Sequence, residues 1–242
     1  MEKYISDIDS KRFGIKVAKI NQFKNDPLEL LKNAKAQGID LIMSRVPISE
    51  IALINTLEKI GFRLKDVQLT YNSNLAIIPE QTENMEFLLR DALSTDAEQI
   101  SLIAEQAFQH YGHYYADERL RNETSSIYKE WALKSCSNKD IADKIIVAEL
   151  EGEVIGFLTF KIQENANGTF AIGGIGAVSP KSHKMGVFRA INIEGMKWCK
   201  SAGIGRVEHN VLTTNFPVNS TYSKLGFTVI RSEATLHCWV ND

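Results

Sequence analysis

The residues best suited to chemistry lie near the C-terminus, in Asn215-Phe-Pro-Val-Asn-Ser-Thr-Tyr222-Ser-Lys-Leu-Gly226-Phe227. Pro217 favours the first turn of a helix and Gly226 its end, so Tyr222 is expected on a short helix. A phenol of pKa about 10 stays protonated at neutral pH and can hand on a proton; its plainer use is to pack the helix with its hydroxyl in water. Upstream, Val178-Ser179-Pro180 is followed by His183-Lys184-Met185-Gly186-Val187-Phe188, with Lys181 and Arg189 close by. Backbone N–H groups at a helix opening after Gly186 can cradle a phosphate, and His183 is either a phosphate contact or an exposed loop histidine. A third set, His110-Tyr111-Gly112-His113-Tyr114-Tyr115, can stack on a planar ligand and accept a proton, or plug the space between two helices.

The elements that must position these residues are legible from period and turn chemistry. Met85 to Arg90 reads as a strand. Ser94-Thr95-Asp96 offers a cap for a helix with apolar Ile100, Ile103, Ala104 and Ala107, and a second helix follows near Leu120 to Ser135. From Lys144 the runs Ile145 to Leu150 and Val154 to Ile162 flank Glu151-Gly152-Glu153 as a hairpin. A turn at Asn165 to Gly168 leads to a strand, Thr169 to Val178, whose Gly173, Gly174 and Gly176 suggest a bulge or a close backbone approach. A helix to about Ala202, a strand Arg206 to Leu212, a helix Val218 to Leu225 and two closing strands between Thr228 and Val240 complete the order. His209 reads as a core histidine and His237 as a sheet-surface residue.

The front half repeats part of this plan. Gly38-Ile39 and Gly61-Phe62 are spaced as Gly203-Ile204 and Gly226-Phe227 are, and without a gap Val46 falls on Val211, Thr56 on Thr221, Lys59 on Lys224 and Thr70 on Thr235. The copies differ where chemistry would matter: Leu57 stands opposite Tyr222 and Glu50 opposite Asn215. Pro79 to Asn84 is the polar boundary, dividing the chain into residues 1–84 and 85–242.

With 242 residues, 44% apolar and 24% charged, the chain can bury a large core. A net charge of -2 provides no cationic field for a polyanion, so nucleic acid is not an expected partner. No run approaches a membrane span and the N-terminus lacks the apolar core of a signal peptide, so a cytoplasmic protein with no membrane partner is expected. Cys136, Cys199 and Cys238 form no CxxC pair, which signals neither a disulfide framework nor a zinc site.

The segment Asn215 to Phe227 resembles the C-terminal signature of GNAT acyltransferases, and the resemblance covers about residues 85 to 242. It implies an α+β fold with a mixed sheet, arranged here as a tandem of a degenerate N-terminal copy, 1–84, and a complete C-terminal domain, 85–242. It implies acyl-CoA as co-substrate, no metal, and Tyr222 as the acid that protonates the departing CoA thiolate. The loop that holds the CoA pyrophosphate would comprise His183, Lys184, Met185, Gly186, Val187 and Phe188, with Asn215 also contacting the cofactor. His183 and Phe188 depart from the family's Arg or Gln and second Gly. An N–H near Ala177 or Val178 would hold the oxyanion, on a bulged strand that diverges from its neighbour.

A narrower resemblance reaches the front half. Asp9-Ser10-Lys11-Arg12-Phe13-Gly14-Ile15-Lys16-Val17, Arg45-Val46-Pro47 and Leu57 to Phe62 resemble sugar-nucleotide N-acyltransferases related to dTDP-fucosamine acetyltransferase. That implies acyl transfer to the amine of a dTDP-linked 3- or 4-amino-dideoxyhexose for surface polysaccharide, with His110, Tyr111, His113, Tyr114 and Tyr115 shaping the acceptor site and a homodimer as an admissible assembly. Two alternatives stay open: transfer to a protein or polyamine amine, and a catalytically silent acyl-CoA-binding module. No side chain is placed to be named general base, and no Cys or Ser lies in a nucleophile motif.

Overall fold

A computed structural model describes residues 1–24, 26–81, 85–166 and 168–242. In chain order the elements are α1 (Asp7–Phe13), β1 (Val17–Lys19), α2 (Pro27–Ala36), β2 (Leu41–Pro47), α3 (Ile51–Lys59), β3 (Arg63–Ser73) and β4 (Leu88–Asp91). They continue as α4 (Ala97–Ala107), α5 (Gly112–Ala116), α6 (Thr124–Ser137), β5 (Lys144–Leu150), β6 (Glu153–Asn165), β7 (Gly168–Val178), α7 (Val187–Ser201), β8 (Val207–Leu212), α8 (Phe216–Lys224) and β9 (Thr228–Trp239). The C-terminus forms one continuous strand where two were expected, because Thr228 to Trp239 contains no glycine, proline or asparagine to turn it. Residues 82–84 of the expected boundary and Asn167 of the expected turn lie outside the described residues.

The chain forms two compact units that are discontinuous in sequence. Unit 1 comprises Met1–Leu69, Gly112–Arg121 and Arg231–Asp242; unit 2 comprises Thr70–Tyr111 and Asn122–Ile230. In unit 1, β1 runs parallel to β2, and β2 pairs antiparallel with β9 in the register Met43↔His237 and Arg45↔Thr235. Side chains alternate across a strand, so one face presents Ile42, Val46, Leu236 and Cys238. These join Leu30 and Ala34 of α2, Leu57 of α3 and Phe62 in an apolar core, where each fully buried large side chain contributes roughly 1.5–3 kcal/mol. The opposite face mixes polar Arg45, Thr235 and His237 with Leu41, Met43 and Trp239.

In unit 2 the strand order is β8-β7-β6-β5-β4, antiparallel except for the parallel pair β7 and β8. The hairpin between β5 and β6 turns through Glu151 and Gly152, at φ 51 and 83. Ile100, Ile103 and Ala104 of α4 and Tyr128 and Ala132 of α6 cover one face of the sheet over Val147, Phe157 and Ile175. The other face carries α7, which approaches so closely that a Cβ on Gly195 would lie 2.1 Å from the Phe160 ring and one on Gly156 2.8 Å from Val187.

Candidate active site

The central feature of unit 2 is the way β7 leaves β8. Their pairing runs from Ala171↔Val207 to Gly173↔His209 and stops, although β7 continues to Val178 and β8 to Leu212. Beside this point β7 carries a bulge, since Leu158 faces Gly176 while Phe160 faces Gly173. Thr159 fills the irregularity, its hydroxyl accepting the Ile175 N–H at 3.0 Å. Both the bulge and the divergence match expectation. The N–H of Ser179 also points to β6, onto the Ile155 carbonyl at 2.8 Å. By alternation Ala177 faces β6 as well, whereas the amides of Gly176 and Val178 turn to the side from which β8 has departed. That geometry corrects the expectation for Ala177, whose amide is turned to β6, and leaves the Val178 amide facing the gap.

Past Val178 the chain makes a short 3₁₀ turn, Pro180–Ser182, and reaches α7 through Lys184 and Gly186, both left-handed at φ 69 and 79. Gly186 occupies the cap position of the helix and supplies no side chain, so no side-chain acceptor meets the first N–H groups of α7. Those groups and the positive end of a 15-residue helix suit an anion. His183 bends back: its Nε2–H donates to the Val178 carbonyl at 3.3 Å. Arg189 donates to the Glu80 carbonyl at 3.0 Å, and Gln81 to the Ala190 carbonyl at 2.8 Å, tying the first residues of the expected boundary to α7. Met185 and Phe188 are half-buried and Val187 is buried, while Lys181 and Lys184 are exposed.

Tyr222 lies on α8, which Pro217 opens within the first turn and Asn215 caps by accepting the Val218 N–H at 3.4 Å. Asn219 braces the entry by donating to the carbonyls of Leu212, Thr213 and Asn215. The Tyr222 ring is 3% exposed, stacked on His209 at 4.7 Å and 21°, and flanked by Tyr71, Phe188 and Phe227 at 5.2–5.8 Å. Its hydroxyl makes no hydrogen bond among the described residues. Burial, followed by Tyr111 and Tyr71, pushes the phenol pKa up, so the group is held as a proton donor. Phe188, at the place where a second glycine was expected, meets the Tyr222 ring edge-on at 5.8 Å. His209 is buried, as expected, and burial depresses its imidazole to about 3.

The aromatic run His110 to Tyr115 divides between the units. Tyr111 packs edge-on against Phe108 and Tyr128 in unit 2, at 5.0 and 5.9 Å. Tyr114 is buried in unit 1, its hydroxyl donating to Asp9 at 3.0 Å, and Tyr115 lies under the Arg121 guanidinium. His110 is exposed. His113 belongs to a cluster that sequence reasoning missed, in which its Nδ1 meets Nε2 of His237 at 2.9 Å and Nδ1 of His237 meets Asp117 at 2.7 Å. His237 is 1% exposed, not a sheet-surface residue. Burial alone would raise the Asp117 carboxyl, but the His237 hydrogen bond, with the Lys65 ammonium at 3.5 Å, holds it at about 2. As a carboxylate it only accepts, so neutral His237 donates from Nδ1 and accepts at Nε2, and His113 must donate from Nδ1. No local spacing announces this chain, because His237 lies about 120 residues from His113 and Asp117.

The family model "Acetyltransferase (GNAT) family" matches residues 100–227, the stretch that holds the bulge, the parted strands, the open helix and Tyr222. The chain belongs to the GNAT acetyltransferase family. The chain is 33% identical over 91 residues to a mycothiol acetyltransferase of Amycolatopsis mediterranei, a match covering 36% of this chain and 30% of that protein. It therefore spans about a third of the length of the curated relatives it matches. A tandem GNAT protein from the clavulanic acid biosynthesis pathway superposes with a TM-score of 0.63 at 12% identity, over 93% of this chain and 75% of that one. A GCN5-related N-acetyltransferase from Sphaerobacter thermophilus gives 0.60 at 15% identity, over 86% and 64%. The fold is thus a mixed α/β tandem GNAT fold, as expected. Among the described residues no group of three or more His, Cys, Asp or Glu side chains could hold a metal ion.

Proposed function

We propose that this GNAT protein transfers an acyl group directly from acyl-CoA to an amine, with Tyr222 as the acid. The observation that carries the reading is the stack of Tyr222 on His209, at the point where β7 and β8 part. In the proposed reaction the unprotonated amine attacks the thioester carbonyl, and the N–H groups of Val178 and Gly176 receive the oxyanion. The C–S bond then breaks, the thiolate takes the Tyr222 proton, and the proton lost by the nitrogen passes to water, which returns one to the Tyr222 phenolate. The pyrophosphate is assigned to the first turn of α7, with His183, Lys184, Met185, Gly186, Val187 and Phe188 as the loop, and Asn215 holds α8 in register. Burial keeps the phenol protonated at neutral pH, so a proton is in place to be shared with the leaving sulfur.

For the acceptor we propose a dTDP-linked 3- or 4-amino-dideoxyhexose, on the resemblance of Asp9 to Val17 and of Arg45 to Pro47 to sugar-nucleotide acyltransferases. His110, Tyr111, His113, Tyr114 and Tyr115 are the proposed acceptor residues; burial limits Tyr114 to supporting the others. A second acceptor reading follows from the relatives named mycothiol acetyltransferase: a mycothiol precursor lacking its acetyl group. The test is release of free thiol from acetyl-CoA with dTDP-amino sugars, that precursor, a polyamine and a lysine peptide, with products identified by mass. Transfer to a dTDP-amino sugar supports the reading. Transfer to the precursor alone selects the second acceptor, and no thiol release with any amine removes the enzyme reading.

A further inference from the structure

The copies differ at two buried positions that touch in unit 2. At an offset of 165 residues, from Gly38 to Gly203, Tyr222 stands where the first copy has Leu57, and His209 stands where it has Ser44. Tyr222 and His209 stack on one another; Leu57 and Ser44 are both buried, and the Ser44 hydroxyl has no hydrogen-bond partner. The imidazole and the phenol therefore occur together in the one copy that carries the open α7 terminus.

The position of the imidazole is defined by what it excludes. His209 is the last residue of β8 paired with β7, opposite Gly173, and a Cβ on Gly173 would lie 1.9 Å from its Nδ1. The ring thus lies directly on the glycine backbone at the vertex where the strands part. Phe160 and Phe227 meet it edge-on at 5.9 and 5.3 Å and close the space around it. It makes no hydrogen bond among the described residues, so packing alone fixes it. A cofactor anchored at α7 and extending along β7 from Val178 towards the bulge at Gly174 and Ile175 would carry its acyl group to this vertex.

We infer that the His209 ring is the end wall of the acyl slot and restricts the donor to acetyl-CoA or its shortest homologues. The inference rests on the acyl-transfer reading and narrows it. Each methylene beyond the wall must displace an aromatic ring held against Gly173, Phe160, Phe227 and Tyr222, and discrimination of about 10-fold or more per methylene is within reach of such a pocket.

The experiment measures Kd for acetyl-, propionyl- and butyryl-CoA by titration calorimetry, and kcat/KM wherever an acceptor is turned over, in wild type, His209→Ala and His209→Phe. Wild type is expected to disfavour butyryl-CoA by about 10-fold or more. His209→Ala should bring the two donors within about threefold, and His209→Phe, which keeps the ring, should retain the preference. Equal handling of acetyl and butyryl donors by wild type overturns the inference without any variant, as does a folded His209→Ala that keeps the full preference. Wild type that binds no acyl-CoA overturns the acyl-transfer reading as well. Binding without selectivity overturns the wall alone.

Discussion

α3 and α8 are the same nine-residue helix at an offset of 165, and their C-terminal turns share the same backbone hydrogen bonds. The N–H of Phe62 reaches the Leu57 carbonyl at 3.0 Å and that of Phe227 the Tyr222 carbonyl at 3.0 Å; Gly61 and Gly226 turn at φ 105 and 81. Thr56 donates to Ala52 at 2.8 Å and Thr221 to Pro217 at 2.9 Å. What differs is what each copy offers a ligand. At α2 the Asp26 carboxylate accepts the Leu28 N–H and Pro27 removes another donor, so the helix satisfies its own N-terminus. At α7 the glycine leaves that terminus open. Glu50 gives α3 no side-chain cap, whereas Asn215 caps α8. Backbone turns were retained in both copies, and the side chains that could serve acyl transfer in one.

The sharpest way to break this comparison is to remove the phenol. Tyr222→Phe is expected to lower kcat by about 10²–10⁴-fold, the usual worth of a general acid, with acyl-CoA affinity little changed; unchanged turnover by a folded variant would take Tyr222 out of the mechanism. At the matching position Leu57→Ala should act on stability instead. It deletes a fully buried side chain from the unit 1 core and should cost about 2–5 kcal/mol by denaturant titration. A Leu57→Ala loss confined to kcat would show that the first copy takes part in chemistry.

Much of the second copy was readable because its signals are local. Gly226 ends α8, Gly186 opens α7, Glu151-Gly152 turns a hairpin and the three glycines of β7 mark the bulge; each acts on the backbone within a few residues. The parting of β7 and β8 was inferred only through the family resemblance. The final strand and the cluster in unit 1 were not legible. Thr70 hydrogen-bonds Asn210 in unit 2, while its repeat counterpart Thr235 pairs with Arg45, the counterpart of Asn210, in unit 1. Each unit thus draws a strand end from the other copy. His237 was misread as a surface residue because its partners, Asp117 and His113, come from a segment about 120 residues earlier.

Acid separates the copies at a second pair of positions. Burial lowers the His209 imidazole from 6.5 to about 3, so between those values the unfolded chain binds a proton that the folded chain refuses. Stability contributed by this site is complete above pH 6.5 and falls as pH is lowered, by about 1.4 kcal/mol per pH unit for one proton. Burial also lowers His237 and His113, which adds loss of the same sign. Asp117, held at about 2, loses its contribution only below about pH 4. His209→Phe should flatten the pH dependence of unfolding free energy between pH 6 and 4 by about one proton. Ser44→Ala at the matching place should leave that slope unchanged, and an unaltered slope in His209→Phe would show that the imidazole titrates normally.

The open helix terminus gives a smaller, ligand-dependent effect. Gly186→Asp places at α7 the kind of carboxylate that Asp26 supplies at α2, and aspartate tolerates the left-handed backbone better than most residues. The added charge should weaken acyl-CoA binding by about tenfold, with a change in Tm of only a few degrees. Undiminished affinity would remove the α7 terminus from the binding site.

The smallest effect tests the shared part of the plan. Neither Gly61 nor Gly226 is crowded: a Cβ would lie 3.8 Å from the Cys238 sulfur in the first case and meet nothing within 4 Å in the second. Their common requirement is a positive φ, which costs an alanine about 1–2 kcal/mol. Gly61→Ala and Gly226→Ala should therefore destabilise the chain by similar amounts in denaturant titrations, despite lying in copies of opposite chemical character. Because Phe227 packs on Tyr222 at 5.2 Å, Gly226→Ala should also lower kcat, whereas Gly61→Ala should leave it near wild type. Equal losses of kcat would mean that the turn in the first copy supports catalysis too, and that the division between scaffold and site is drawn in the wrong place.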